Sequence, residues 1–472
     1  MRRRDFFKLT STAGLAVLTP WGHQAMAAAE MRGFPGPYWI TINLRGGWDT
    51  TMFCEPRGRD HVVDGARALG MPTNGVNRHF ASDEIDASRA PFRCAPDMSD
   101  SRDWYMTAAS GEHIADTLTT PGFTIINGVD AGLTAHAQAE RLAMSGSITK
   151  GTPTLAALVA ADRVHNGQLG PMPMVTFGGY DATGDLVAPT RLTRLEVLSK
   201  VTKPNLSLPN QIGDNHRRFH RVEAASLIDA AVQRRLLAKR ATARLPGRRK
   251  GLDALYTARL NQADVRRFSE AFSEADFNTA NTSIKRQIYT ALTAFATNTA
   301  ASAAMVINGW DSHGTNDVQQ RRRFRELFGG LRFLKSWADT LDLTPRLNVV
   351  ITSEFSRTPF YNSAGKDHHA VSSWMTMLWA HRAANGLGAG IRVVGGTDDN
   401  ILARRLHSDL STAGDEDAPG SPQGEADAGG VAVAVKLNPT IMHNELRKVA
   451  GIHDSPVVAP FALQESAMPI WG

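Results

Sequence analysis

Six short apolar runs, each ending in glycine or polar residues, constrain the fold of this chain more than any other feature. The runs span residues 38–47, 123–130, 174–179, 305–311, 347–355 and 391–396. Their near-continuous apolar character is typical of strands that are buried on both faces, as in a parallel sheet covered by helices. We therefore predict a doubly wound, mainly parallel α/β sheet. In such a sheet the ligand site lies at the carboxyl ends of the strands.

A long stretch of different character separates the third run from the fourth. Residues 181–213 contain prolines that break any long helix, and residues 216–300 are predicted to form helices with many Lys and Arg. No aromatic platform accompanies these basic residues, so a solvated face or an anionic partner is favoured over specific nucleic-acid binding. Residues 412–430 are acidic and rich in Gly and Pro, which predicts a surface loop. We therefore predict an α/β core in two parts, residues 38–180 and 301–472, separated by a loop and basic helical insertion at residues 181–300.

Residues 1–29 have the composition of an export signal. They begin MRRRDFFK, which carries half of the formal net charge of +6, and a mild apolar stretch and small residues follow. A charged start, a short apolar stretch and an A-x-A site are typical of a secretory signal, and the twin arginines indicate the type that exports folded proteins. We expect cleavage near Ala27 or Ala29, export by the twin-arginine translocation (Tat) machinery, and a periplasmic or secreted protein. No transmembrane anchor is expected after cleavage.

Export changes the interpretation of the two cysteines, Cys54 and Cys94. Outside the cytoplasm they could form a disulfide, and closing a loop of about 40 residues would contribute about 4 kcal/mol. Two free, buried cysteines are the alternative. A cysteine-based metal site is not expected, because the chain has two thiols and no C-x-x-C motif.

Five polar clusters fall at or just after the ends of predicted strands. They are RGGWDTT (45–51), TAHAQ (134–138), NGWDSH (308–313), SEFSRT (353–358) and GKDHH (365–369). Taken singly, an aspartate after a strand is usually a helix N-cap, and a lone histidine is usually structural. Together, carboxylates and imidazoles at one sheet edge predict a site for a divalent metal ion. The imidazoles favour zinc or manganese, with calcium or magnesium as alternatives.

As an ordered set, the segments LRGGWDT, HAQAERLAMSG, NGWDSH, SEFSRTP and GKDHH resemble the DUF1501 family over about residues 38–460. Members of this family are typically exported by a twin-arginine signal and fall in the alkaline phosphatase–sulfatase superfamily. The resemblance implies an alkaline phosphatase-like α/β core. It also implies a site for one or two metal ions at the strand ends.

The resemblance implies a set of metal ligands in this sequence. They are Asp49, Asp311, His313, Glu354, Asp367, His368 and His369. Asp49 corresponds to the first-strand aspartate that binds a metal in the superfamily. Glu354 lies where an Asp-His pair is common, and Phe355 replaces the histidine of that pair. Either His368 or His369 corresponds to the final histidine ligand.

The position that corresponds to the superfamily's nucleophile holds a histidine. In sulfatases the nucleophile lies ten residues before the glycine of a small-Gly pair, and Ser145-Gly146 here places His136 at that point. The resemblance thus leaves His136 as a metal ligand, a general base or a nucleophile. Alternative hydroxyls near the site are Thr50, Thr51 and Thr134. Arg357 is expected to pair bidentately with an anion, and the alternative is that it bridges to a neighbouring carboxylate.

Two functions follow from these expectations. The first is an exported metal-dependent hydrolase of a phosphate or sulfate ester, with His136 and Arg357 as catalytic residues. The second is an exported binding or assembly protein that keeps the fold and a structural metal. The missing hydroxyl nucleophile and Phe355 favour the second, and the retained carboxylates and histidines favour the first.

Overall fold

The computed structural model describes most of the chain apart from its first 33 residues and several internal segments. The described residues are 34–63, 77–96, 98–99, 112–168, 172–192, 219–245, 248, 252, 267–268, 270–412, 434–463 and 468–471. The predicted export signal lies outside the described residues, as do residues 193–213 of the predicted loop, parts of the predicted helical stretch such as 253–266, and residues 413–430 of the predicted acidic loop. Among the described helices, none has the length and apolar character needed to span a membrane.

Strands and helices alternate along the described residues. In chain order the strands are β1 (Tyr38–Leu44), β2 (Asp86–Arg89), β3 (Phe92–Cys94), β4 (Phe123–Asp130), β5 (Met174–Thr176), β6 (Pro189–Arg191), β7 (Ser302–Ile307), β8 (Leu347–Ser353), β9 (Ser356–Arg357), β10 (His368–His369), β11 (Val371–Leu378), β12 (Ile391–Gly395), β13 (Arg405–Leu406) and β14 (Val435–Lys436). The helices are α1 (Ile114–Leu118), α2 (His136–Ser145), α3 (Leu155–His165), α4 (Val222–Thr242), α5 (Glu274–Thr279), α6 (Ser283–Ala296), α7 (Asn316–Thr340), α8 (Trp379–Ala384) and α9 (Pro439–Val449). Short 3₁₀ helices span Ser82–Glu84, Thr344–Arg346 and Ala459–Phe461.

Eight of these strands form a central sheet in the order β12-β4-β11-β8-β1-β7-β5-β6. Neighbouring strands are parallel, except that β11 pairs antiparallel with both β4 and β8. The predicted mainly parallel α/β sheet is therefore confirmed. All six predicted runs form strands of this sheet, and β1, β7 and β8 end in register at Leu44, Ile307 and Ser353.

Helices cover both faces of the sheet, which explains why its strands are apolar throughout. All seven residues of β1 are buried. Ile40 and Ile42 pack in a core with residues of α6 and α7, whereas Trp39 packs on the other face with residues of α3 and α9. Because successive side chains of a strand point to opposite faces, burial on both sides requires this continuous apolar pattern.

Two strands of the sheet were not predicted from the sequence. Pro189 opens β6 inside the stretch 181–213, which was predicted as loop. As β6 is an edge strand, a proline at its first position fits the sheet, since its missing N–H removes no central hydrogen bond. The sequence of β11, VSSWMTML, mixes hydroxyl and apolar residues, yet all eight residues are buried. Its hydroxyl groups find partners inside, as Ser372 does with the indole of Trp48 at 3.0 Å.

The predicted basic helical stretch divides into parts of different burial. Helix α6 packs against β7 and α7 as part of the core. In α4, by contrast, Leu236 alone is buried. Apolar side chains such as Leu227 lie exposed on α4 beside its arginines and lysines.

Cys54 and Cys94 are free and buried. The residue before Cys54, Phe53, forms an isolated antiparallel bridge with Cys94. Burial raises the pKa of both thiols. Of the two alternatives, the structure contains two free cysteines and no disulfide between them. At neutral pH both are thiols rather than reactive thiolates.

Candidate functional site

The candidate site lies at the carboxyl edge of the sheet, where β1, β7 and β8 end together. The loop after β1 contains Gly46, the loop after β7 contains Asp311, and Glu354 follows β8 directly. Gly46 has φ +123°, and a Cβ added to it would lie 2.1 Å from the backbone nitrogen of Asp311. The first two loops are therefore in backbone contact, a closeness that a side chain at position 46 would prevent.

Three side chains converge at this edge: His136, Asp311 and His368. One ligand atom from each lies within 4.8 Å of the other two. Nε2 of His136 is 3.6 Å from Oδ2 of Asp311, and Nε2 of His368 is 3.5 Å from Oδ1 of Asp311. We call these three residues the His–Asp–His cluster. Its side chains are between one quarter and one half exposed.

A buried carboxylate fixes the ring of His136. Nδ1 of His136 lies 2.5 Å from Oε1 of Glu354, which also accepts the backbone N–H of Gly46 at 3.0 Å. Burial raises the pKa of Glu354, while its contact with His136 acts in the opposite direction. When Nδ1 donates to this carboxylate, the lone pair of Nε2 faces Asp311. This carboxylate–histidine arrangement is the one that orients histidine ligands in metal sites.

His368 supplies an observation that fits a metal ion. Its Nε2 is buried and has no hydrogen-bond partner among the described residues. Burial lowers the pKa of His368, and the positive charge of Arg357 acts in the same direction. A neutral imidazole with a free nitrogen is the form that binds a metal. Two imidazole nitrogens and one carboxylate therefore fit a zinc or manganese ion.

Arg357 holds Asp311 and is itself fully buried. Nη2 of Arg357 lies 2.8 Å from Oδ1 of Asp311, and the arginine side chain has an exposed fraction of 0%. Its guanidinium also donates to the backbone carbonyls of Gly46, Gly47 and Trp310. Although burial raises the pKa of Asp311, the hydrogen bond and charge of Arg357 prevail and lower it. Asp311 is thus held ionised.

His313 and Asp367 extend the cluster toward solvent. Nε2 of His313 lies 3.1 Å from Oδ1 of Asp311, and Nδ1 of His313 lies 3.4 Å from Oδ1 of Asp367. The side chain of His313 is 38% exposed and that of Asp367 is 53% exposed. His313 therefore bridges two carboxylates beside the cluster.

Five of the seven predicted ligands lie outside the His–Asp–His cluster. His313 and Asp367 lie beside it, and the other three are bonded elsewhere. Asp49 is buried and bonds to Lys366. Nε2 of His369 contacts the backbone carbonyl of Ile401 at 2.8 Å. Oε1 of Glu354 is used by His136 and Gly46, while Oε2 is buried without a hydrogen-bond partner among the described residues.

Two buried residues near the predicted ones were not singled out from the sequence. Lys366 lies inside the segment GKDHH, directly before the three residues proposed as ligands. Glu140 lies four residues after His136 on α2, so a helical spacing places both on one face. Glu140 accepts from Nδ2 of Asn43 at 3.1 Å and is buried. That spacing was the available signal for Glu140, whereas the burial of Lys366 has no signal in the sequence.

The fold and the site define an α/β protein whose mostly parallel sheet carries a histidine–aspartate cluster at its carboxyl edge. A family model described as "Protein of unknown function (DUF1501)" matches residues 90–380, which is more than half of the 472 residues. The chain therefore belongs to the DUF1501 family. A search among curated proteins finds no match to it.

Proposed function

We propose that this protein is a metal-dependent hydrolase of a phosphate or sulfate ester that acts outside the cytoplasm. The observation that supports the proposal is the His–Asp–His cluster, whose three ligand atoms lie within 4.8 Å of one another at an accessible sheet edge. A divalent ion bound there would polarise the ester and stabilise the charge that develops on its oxygens. Zinc or manganese suits the donor set best.

Neighbouring residues orient the imidazoles of the cluster for binding such an ion. Glu354 accepts a hydrogen bond from Nδ1–H of His136, and this orients Nε2 of the same ring toward Asp311. Phe355 packs against both imidazoles of the cluster, with ring centroids 4.9 Å from His136 and 4.4 Å from His368. This ring therefore packs against one side of the cluster.

In this proposal Arg357 positions Asp311 and does not bind the substrate. Its donors are directed at Asp311, at backbone carbonyls and at Nε2 of His313, and its side chain is fully buried. Removing it from these partners to pair with an anion would leave several buried acceptors unsatisfied, each at a cost of about 1–3 kcal/mol. Of the two roles expected for Arg357, this proposal therefore adopts the bridge to a neighbouring carboxylate and not the bidentate contact with an anion.

His313 is the group best placed to move a proton. Its side chain is 38% exposed; Nδ1 faces Asp367, and Nε2 faces Asp311 and Nη1 of Arg357. Of the three roles expected for His136, this proposal uses that of a metal ligand, with Nδ1 on Glu354 and Nε2 facing Asp311. We assign the transfer of a proton between water and the reacting oxygen to His313, with Asp367 orienting the ring.

The substrate class, the location and the fold type rest on the resemblance described above. An alkaline phosphatase-like core, export by the Tat machinery, and a periplasmic or secreted location belong to this proposal. The sheet, with helices on both faces and a site at its carboxyl edge, supports the fold type. An anionic ester is the substrate class that this superfamily implies.

One observation favours a second function, that of an exported binding or assembly protein with a structural metal. His136, a ligand candidate of the cluster, stands at the position that corresponds to the hydroxyl nucleophile of the superfamily. A protein that only binds would keep the metal and show no turnover.

The decisive experiment measures bound metal and turnover on the same purified protein. We expect stoichiometric zinc or manganese and hydrolysis of an aryl phosphate, an aryl phosphodiester or an aryl sulfate. His136→Ala should lose both the metal and the activity, whereas the matched control His453→Ala, at a 44% exposed side chain, should keep both. Bound metal without turnover of any of the three substrates would favour the binding protein. No bound metal would refute both functions.

A further inference from the structure

The side chains of Lys366 and Asp49 form a completely buried ion pair. Nζ of Lys366 lies 2.7 Å from Oδ2 of Asp49, and both side chains have an exposed fraction of 0%. The same Nζ donates to Oγ1 of Thr51 at 3.0 Å, and this hydroxyl donates to Oδ1 of Asp49 at 2.5 Å. A carboxylate, a hydroxyl oxygen and a cation are thus gathered in one interior position.

The carboxylate of Asp49 has no lone pair left for another ligand. Oδ1 accepts from the backbone N–H and the hydroxyl of Thr51. Oδ2 accepts from Nδ2 of Asn316 at 2.6 Å and from Nζ of Lys366. An ionised carboxylate offers about four acceptor positions, and four donors fill them. A metal ion could bind Asp49 only by displacing at least one of these donors.

Backbone contacts at Gly365 and Lys366 and the ring of Tyr361 surround the Lys366 side chain. Gly365 has φ +115°, and a Cβ added to it would lie 2.3 Å from the carbonyl of His313. The backbone N–H of Lys366 donates to that carbonyl at 3.3 Å. The ring of Tyr361 lies 5.6 Å from Nζ, within the distance of a cation–π contact. The side chain of Lys366 therefore extends inward from the segment that supplies His368 toward the loop after β1.

We propose that the ammonium group of Lys366 takes the place of a metal ion at Asp49. The aspartate that the family resemblance marks as a metal ligand is then neutralised by the protein itself, and metal binding at this edge is confined to the His–Asp–His cluster. This inference rests on the proposed function for the metal at that cluster, and it sets the number of ions at one.

The test counts metal ions in four proteins after equilibration with excess zinc or manganese and removal of the unbound ion. The wild-type protein should hold one equivalent and His136→Ala none. Lys366→Ala leaves the carboxylate of Asp49 without its cation and should gain one equivalent relative to the wild type. The matched control Lys335→Ala, which removes an ion pair with Asp339 on α7, should match the wild type.

A second variant keeps the proposal testable if Lys366→Ala does not fold. The double variant Asp49→Asn/Lys366→Met removes both charges of the buried pair and should keep the metal content of the wild type. Loss of one equivalent in the double variant would show that Asp49 binds a metal and would overturn the proposal. A folded Lys366→Ala protein without additional metal would overturn it as well.

These outcomes are separate from failure of the proposed function. If the wild-type protein binds no metal, the function fails. A gain in Lys366→Ala would then still support the role of the ammonium group, and an unchanged count in the double variant would agree with it.

Discussion

At the scale of single residues, the site is determined by which atoms of each side chain are already bonded. His368 and His369 are neighbours with the same chemistry, yet Nε2 of His368 faces Asp311 and Nε2 of His369 is bonded to a carbonyl. Successive residues of a strand point to opposite sides, so one of two adjacent histidines reaches the cluster. The two aspartates differ likewise, because Asp49 is enclosed by donors and Asp311 is half exposed.

Replacing Glu354 by Gln should weaken metal binding. The change keeps the shape of the side chain but removes the charge that holds Nδ1 of His136. Loss of such a partner typically lowers metal affinity by about 10- to 100-fold, and we expect a loss in this range. Competition with a chromophoric chelator would measure it. Glu223→Gln, at an exposed position of α4, is the control, and equal affinities in the two variants would contradict the role of Glu354.

At the scale of elements, helix α2 docks on the sheet through one row of side chains. His136, Glu140 and Met144 are spaced four residues apart and so share one face of the helix. Their partners at the sheet are Glu354, Asn43 and Thr352. The row ties the start of the helix to the end of β8, and this contact places His136 in the cluster.

Helix α9 is joined to α2 by a buried histidine that should make stability depend on pH. Nε2 of His443 lies 2.9 Å from the carbonyl of Ala143, and burial lowers the pKa of His443 to about 3. The folded protein therefore keeps this ring neutral, while the unfolded chain binds a proton below about pH 6.5. The free energy of unfolding should fall as the pH drops from 6.5 toward 3. From pH 7 to pH 5 this one residue removes about 2 kcal/mol.

Urea unfolding of His443→Gln between pH 7 and pH 5 tests this expectation. The glutamine amide can still donate to the carbonyl of Ala143 but takes up no proton, so the variant should lose less stability than the wild type over this range. His453→Gln, at an exposed position, should follow the wild type. Parallel pH profiles for wild type and His443→Gln would contradict the assignment.

The contact between α6 and α7 depends on a glycine. A Cβ added to Gly330 would lie 2.5 Å from Cδ1 of Ile284, with two more atoms of that side chain at 2.9 Å. Gly330→Ala should destabilise the protein by about 1–3 kcal/mol through overpacking, although alanine is the better helix former by about 1 kcal/mol. Thermal unfolding would measure the loss. Ile284→Val should restore part of it, and Gly388→Ala, which meets no atom within 4 Å, should be neutral.

At the scale of the whole molecule, the cluster joins segments that are far apart in the chain. His136 begins α2, Asp311 follows β7, and His368 begins β10. An unfolded chain does not hold these three side chains together, so an ion bound there would stabilise the folded state.

Metal should therefore raise the thermal stability of the entire protein. At a free metal concentration of about 100 times the dissociation constant, the stabilisation should be about 2.7 kcal/mol. Differential scanning fluorimetry with and without a chelator would measure the shift in Tm. His136→Ala should abolish the dependence on metal, whereas His453→Ala should retain it. An equal shift in wild type and His136→Ala would mean that the ion binds elsewhere.

The class of fold follows from the amino-acid sequence. Strands buried on both faces must be apolar throughout, and six such runs predicted the parallel strands; the family model then confirmed the resemblance to DUF1501. The antiparallel β11 was missed, because its serines and threonines interrupt the apolar pattern and are satisfied by partners from elsewhere in the chain. The segments of the candidate site were also predicted, because polar clusters follow the apolar runs in the sequence.

Which of those residues lie together depends on the folded chain. The sequence treated Asp49 and Asp311 as equivalent candidates, but Asp49 is paired with Lys366 and Asp311 faces two histidines. It left Arg357 as a partner of an anion or of a neighbouring carboxylate, and in the folded protein the buried guanidinium contacts Asp311. These distinctions depend on donors contributed by distant segments and on exclusion of water. Both arise only when the chain is folded, and spacing along the chain does not encode them.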